Sequence, residues 1–162
     1  MISNKIIAKE SFMELVYLWV KNYKNIQKQG FNFSPRFRCE YDEKTNELTI
    51  DENKDYVSIF PDNINITAIV GENGSGKSSI GEYLFNKEDT GINDNYILIY
   101  YDNSLVIDNQ KLSVNIKTNS GYVLSPKKIS YNNENIKMIF CFAEHMKPYN
   151  HSKMGEKDNF IM

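Results

Sequence analysis

Cysteine is scarce in this chain: its 162 residues hold two, Cys39 and Cys141. They stand far apart and form no Cys-x-x-Cys, so neither a disulfide framework nor a zinc spacing is on offer, and reduced, buried thiols are expected. An excess of one charge is missing as well. Nineteen basic residues face twenty-one acidic ones for a formal charge of −2, which gives no global basic field to advertise a nucleic-acid partner. No run approaches the roughly 18 apolar residues of a membrane-spanning helix, and the apolar core of residues 1–10 is too short for a signal peptide. A chain without membrane contact, working in the cytoplasm, is the expectation. Arginine is absent after Arg38, and no internal repeat is present.

What is there suits one soluble domain: 41% of the residues are hydrophobic and 25% charged. The most informative stretch is Gly-Glu-Asn-Gly-Ser-Gly-Lys-Ser at 71–78, which fits G-x-x-x-x-G-K-[ST], the phosphate-binding loop. At average residue frequencies such a match arises by chance in a chain of this length with a probability of roughly 1% or less. Its flanks agree with it. Residues 64–70, Ile-Asn-Ile-Thr-Ala-Ile-Val, read as a buried strand, and from Lys77 to about Asn86 the i, i+4 spacing of Ile80 and Leu84, with Phe85 beside them, predicts a helix.

Elsewhere the pattern is mostly β. Residues 13–20 form a nearly continuous apolar and aromatic run, the mark of a strand covered on both faces, and 21–26 reads as a polar corner. Two alternating runs at 36–42 and 47–51 flank a Glu-Lys-Thr-Asn turn. There Phe37, Cys39 and Tyr41 share a face that Leu48 and Ile50 complete, while Arg36, Arg38 and Glu40 point the other way. Short runs at 96–101, 104–107 and 111–117 predict an antiparallel meander, and 137–142 predicts one more apolar strand. The boundaries that follow are a domain over 1–146 and a polar tail over 147–162.

The glycines of the loop let the backbone curl until successive N–H groups point inward, a conformation that Cβ atoms resist. In that geometry the amides of Asn73, Gly74, Ser75, Gly76, Lys77 and Ser78 cradle the β-phosphate region at the positive end of the helix, with Glu72 also among the expected nucleotide-binding residues. Lys77 then reaches β- and γ-phosphate oxygens, the Ser78 hydroxyl ligates Mg²⁺, and Ser79 offers a second hydroxyl to the α-phosphate. ATP and Mg²⁺ are the cofactors this chemistry takes.

With Ser79 added, the loop resembles that of the ABC-type ATPase heads, in particular the SMC, RecF and OLD-like branch of DNA-repair and phage-defence proteins. Those heads open with a strand ending in an Asn-Phe-Lys or Asn-Phe-Arg corner, which Asn22-Tyr23-Lys24-Asn25 resembles, and residues 63–70 resemble their approach to the Walker A loop. The resemblance implies an α/β, P-loop NTPase fold, here the N-terminal half of an ABC-ATPase with a β-rich antiparallel subdomain and few helices. It implies Lys24 and Asn25 facing the nucleotide, ATP hydrolysis by the complete enzyme, and a partner in a C-terminal half or a second head that dimerises on ATP. A DNA partner rests on the resemblance alone.

Other parts of such a head are missing from these residues. There is no Ser-Gly-Gly signature and no hydrophobic strand ending Asp-Glu, so no catalytic residue is assigned, and an ATP-binding half without hydrolysis is expected. Asp102, after 96–101, would serve as the metal carboxylate of a small P-loop kinase; as an Asp-Asn-Ser sequence between two strands it reads first as a turn. Such a kinase would also want an arginine-rich lid. A non-enzymatic interaction module is the remaining alternative. Glu144 receives no role, and His145 and His151, six apart, match no usual zinc spacing. Tyr23, Phe31 and Phe33 are candidates either for stacking on adenine or for packing.

Overall fold

Strand β1 (Glu14–Tyr23) buries five consecutive residues, 16–20, as its unbroken apolar run predicts for a strand covered on both faces. It pairs with β2 on one side and β5 on the other. The computed structural model describes residues 13–61, 64–86, 95–110, 112–122 and 124–126. After β1 the chain forms β2 (Ile26–Asn32), β3 (Phe37–Asp42), β4 (Glu47–Glu52), helix α1 (Lys77–Asn86), β5 (Tyr96–Tyr101), β6 (Leu105–Gln110), β7 (Asn115–Thr118) and β8 (Leu124–Pro126). They make a five-stranded sheet of order β2-β1-β5-β6-β8 and a three-stranded sheet of order β3-β4-β7.

The two faces of the large sheet bury different partners. Val16, Tyr17, Trp19, Ile97, Ile99, Leu105 and Ile107 pack against Phe37, Cys39, Tyr41, Leu48 and Ile50 of the small sheet. Trp19 meets Tyr41 edge to face, with ring centroids 4.8 Å apart. Leu18, Val20, Tyr96, Leu98, Tyr100 and Val106 look the other way and cover α1 through Ile80, Tyr83 and Leu84. Strict alternation fails at one place. The β1–β5 register shifts between Leu15 and Tyr17, and this bulge lets Val16 and Tyr17 both join the small-sheet side.

Several expectations hold. Helix α1 has the bounds its periodicity predicts, and the β3–β4 hairpin buries Phe37, Cys39 and Tyr41 while exposing Arg38 and Glu40. Others are corrected. The α/β, P-loop NTPase architecture of the ABC-ATPase kind is not what the chain adopts: strands make up 47% of the described residues, against one ten-residue helix, and both sheets are mixed. The large sheet carries a helix on one face and a second sheet on the other, whereas an α/β fold puts helices on both.

The strand expected at 64–70 joins neither sheet, and Ile64, Ile66 and Val70 are 47%, 63% and 90% exposed. An apolar run states what a segment would gain from burial; whether a neighbouring strand exists to bury it depends on distant residues. The meander is correct for β5 and β6 alone, because β7 pairs parallel with β4 and β8 parallel with β6. The corner expected at 21–26 is instead the end of β1, a turn at Lys24 and Asn25, and the start of β2, which pairs with β1 along its length. The strand expected at 137–142, the tail at 147–162, and Glu144, His145 and His151 lie outside the described residues. No helix among the described residues is long and apolar enough to cross a membrane.

Candidate phosphate-binding loop

The chain reaches the loop along an extended segment laid beside the large sheet. Thr67 Oγ donates to the Phe33 carbonyl at 2.5 Å, Asn65 Nδ2 donates to Glu14 at 3.2 Å, and Ile69 packs on the helix side of the core. At 71–76 the backbone turns sharply, with Gly74 and Gly76 at φ of 84° and 99°, the left-handed region that disfavours a side chain. The Ile80 amide then donates to the Gly76 carbonyl at 3.0 Å and starts α1. Among the described residues the first-turn amides of Lys77, Ser78 and Ser79 have no carbonyl partner, the ordinary condition of a helix N-terminus.

Two donors in this turn converge on one oxygen. The Ser75 amide donates to the Glu72 carbonyl at 3.2 Å, and the Lys77 ammonium donates to that carbonyl at 2.7 Å and to the Gly71 carbonyl at 2.6 Å. An ammonium and a backbone amide pointed at the same acceptor are the donor set that a phosphate oxygen takes. Around Gly74 a Cβ would meet nothing within 4 Å, whereas at Gly76 it would lie 3.2 Å from Ile26 and 3.4 Å from Asn25. The loop is therefore packed on its β1–β2 side and open beyond Gly74. Glu72, Asn73, Gly74, Ser75 and Ser78 are exposed, Lys77 and Ser79 half-buried, and Gly76 buried.

The β1–β2 turn supplies the packed side. Asn25 Nδ2 donates to the Gly74 carbonyl at 2.5 Å, and the Ser79 hydroxyl donates to Asn25 Oδ1 at 2.8 Å. Lys24 pairs with Glu82 on α1, and its ammonium lies 5.7 Å from the Tyr23 ring centroid. Lys24 and Asn25 thus stand at the loop, but their polar atoms engage the protein itself. No family model, curated protein or solved structure matches the chain. The site is therefore read from its own atoms.

The remaining candidates are not brought together there. Asp102 occupies the β5–β6 turn, where its amide donates to the Ser104 carbonyl at 2.9 Å and Asn103 takes a φ of 53°. Tyr101 pairs with Glu14 at the start of β1, whereas Asn25 follows its end. Ten residues of strand separate the two places, about 30 Å at the usual rise. Phe33 is a core residue, Phe31 and Tyr23 pack against the same cluster, and Tyr23 meets Tyr83 edge to face at 5.0 Å. Glu82 is the site residue that sequence reading passed over. It sits two residues before Leu84 on the polar side of the helix, with no local signal that a lysine 58 positions earlier would reach it. Among the described residues no three of His, Cys, Asp and Glu cluster as a metal site.

Proposed function

We propose that the chain binds Mg-ATP through the loop at 71–78, as the ATP-binding part of an ATPase of the SMC, RecF and OLD-like kind whose hydrolytic groups lie outside these residues. The single observation that carries the reading is the convergence of the Ser75 amide and the Lys77 ammonium on one oxygen, at 3.2 and 2.7 Å. It asks nothing of the α/β frame that the chain lacks. Support also comes from the open space at Gly74 and from the exposed Ser78 hydroxyl on the first helical turn. Ser78 is the residue that would hold Mg²⁺ together with phosphate oxygens, and the ion supplies charge neutralisation of the triphosphate. Lys77 leaves its own loop carbonyls for a more strongly charged acceptor, while the first-turn amides keep their direction.

Among the described residues Asp102, the carboxylate weighed for the metal, is about 30 Å away by strand rise. The isolated chain is expected to bind without measurable turnover, because phosphoryl transfer depends on charge stabilisation and positioning by a carboxylate on the metal and a base for water. A second head or a C-terminal half remains the proposed partner. A purely interacting role is the second reading, favoured by the exposure of Ile64, Ile66 and Val70.

Thermal unfolding with and without Mg-ATP separates the two. Saturation at about 100 times Kd adds about 2.7 kcal/mol of stability, a visible rise in Tm. Lys77→Ala removes a charged hydrogen-bond donor and is expected to weaken binding by about 10- to 100-fold. No shift in the wild type favours the interaction module, and rapid turnover lost in Lys77→Ala overturns the account of a non-hydrolysing chain.

A further inference from the structure

We infer that Asn25 is a positioning residue that latches the phosphate loop into its curl, and that it acts on the backbone of the loop and not on the nucleotide. Its carboxamide spans two points that the motif leaves to chance: the carbonyl of Gly74, at 2.5 Å from Nδ2, and the hydroxyl of Ser79, at 2.8 Å from Oδ1. The orientation of the amide is determined by chemistry, because a carbonyl can accept only, so the group facing Gly74 must be the NH₂. The Ser79 hydroxyl then donates to the other end and holds the carboxamide in that sense.

The consequence travels through one peptide plane. Gly74 at φ 84° has no side chain to restrict it, so in isolation this is the most mobile joint of the turn. The tie to Asn25 fixes the direction of the Gly74 carbonyl. Because the Gly74–Ser75 peptide is planar and trans, with its N–H antiparallel to its C=O, the Ser75 amide is fixed with it, pointing away from Asn25. That amide is one of the two donors that converge on the Glu72 oxygen. Asn25 thereby aims a phosphate donor it does not itself resemble. The turn that presents Asn25 is held in its own right: Lys24 takes a left-handed φ of 50°, pairs with Glu82 on α1, and precedes Ile26, a fully buried residue under Gly76. A hairpin anchored to the core and to the helix makes a rigid post for the latch. Ser79 is also reassigned, from an α-phosphate ligand to the anchor of Asn25.

The test measures amide hydrogen exchange by NMR on the protein without nucleotide, alongside binding of Mg-ATP and of magnesium pyrophosphate. Asn25→Ala is expected to speed exchange at Ser75 and Gly76 on the order of tenfold, the scale of one lost hydrogen bond, with the strand amides of 97–99 unchanged. It is expected to weaken both ligands by a similar factor. Ser79→Ala should show the same pattern in smaller measure, and it remains informative should Asn25→Ala fold poorly. Asn25→Asp, which keeps an acceptor for Ser79 and loses the donor to Gly74, should behave as the alanine does. The affinity part rests on the phosphate-binding reading, whereas the exchange part does not. If the wild type binds neither ligand, that reading falls while faster exchange in the variants still supports the latch. Weakened binding with unchanged exchange would make Asn25 a ligand of the nucleotide and overturn the inference, as would unchanged exchange in both variants.

Discussion

Cys39 is a residue whose chemistry the packing changes. It lies in the packed core between the two sheets, 3% exposed, and burial, followed by the carboxylate of Asp51, pushes its thiol up to about 12. The folded state thus keeps a proton that the unfolded chain begins to release near the ordinary thiol value of 9.0. The stability this contributes is complete below about pH 9 and is lost as pH rises toward about 12. Urea melts from pH 8 to 11 should show a falling midpoint whose slope is reduced in Cys39→Ala, with buried Tyr17, also shifted upward by desolvation, keeping part of it. At pH 8 the Cys39 peptide should resist alkylation until the protein unfolds, read by mass spectrometry. The loop glycines make a contrasting pair. Ala at Gly74 or Gly76 meets a left-handed φ, costing about 1–2 kcal/mol, but at Gly76 the Cβ also crowds Ile26 at 3.2 Å. Gly76→Ala is therefore expected to lower the urea midpoint more than Gly74→Ala, and equal losses would refute the packed-side account.

At the scale of elements, β2 shows what pairing does to a weak strand. Gln-Lys-Gln-Gly-Phe-Asn after Ile26 has little β-propensity and is exposed along most of its length, as an edge strand can be, yet it is held to β1 from Asn32 to Ile26. Gly30 earns its place by a close approach: a Cβ there would sit 2.1 Å from the hydroxyl and 2.8 Å from Cζ of Tyr17. That ring is 2% exposed and has no room to retreat, so Gly30→Ala should cost about 1–3 kcal/mol. Adding Tyr17→Phe removes the nearest atom and should recover part of the loss in a double-mutant cycle. Additive costs would show that Tyr17 is not the obstacle. None of this was legible along the sequence, since the contact joins residues thirteen apart across a hairpin whose second strand has no apolar alternation.

Over the whole molecule, the large sheet is a shared wall with a sheet on one side and a helix on the other. Trp19, the one tryptophan, lies on the small-sheet side at 2% exposure. Trp19→Ala should destabilise by about 3–5 kcal/mol. In the wild type its fluorescence should change together with the far-UV circular dichroism if the two layers unfold as one. A fluorescence transition at lower denaturant would instead mean that the small sheet separates first.

The parts of this protein that the sequence determined by itself are those whose cause is local. The glycine spacing at 71–76, the i, i+4 apolar positions of α1, and the alternation of Phe37, Cys39 and Tyr41 each dictate a conformation within a few residues. Tertiary structure alone decided what those pieces meet. It left the apolar run at 64–70 without a ladder, because a strand needs a partner that composition cannot supply. It set Asp102 at the far end of β1 from the loop, and it put Asn25 within hydrogen-bond reach of Gly74, 49 positions away. Backbone amides and carbonyls carry no address, so which distant pair closes is decided by how the two faces of the large sheet bury their separate cores.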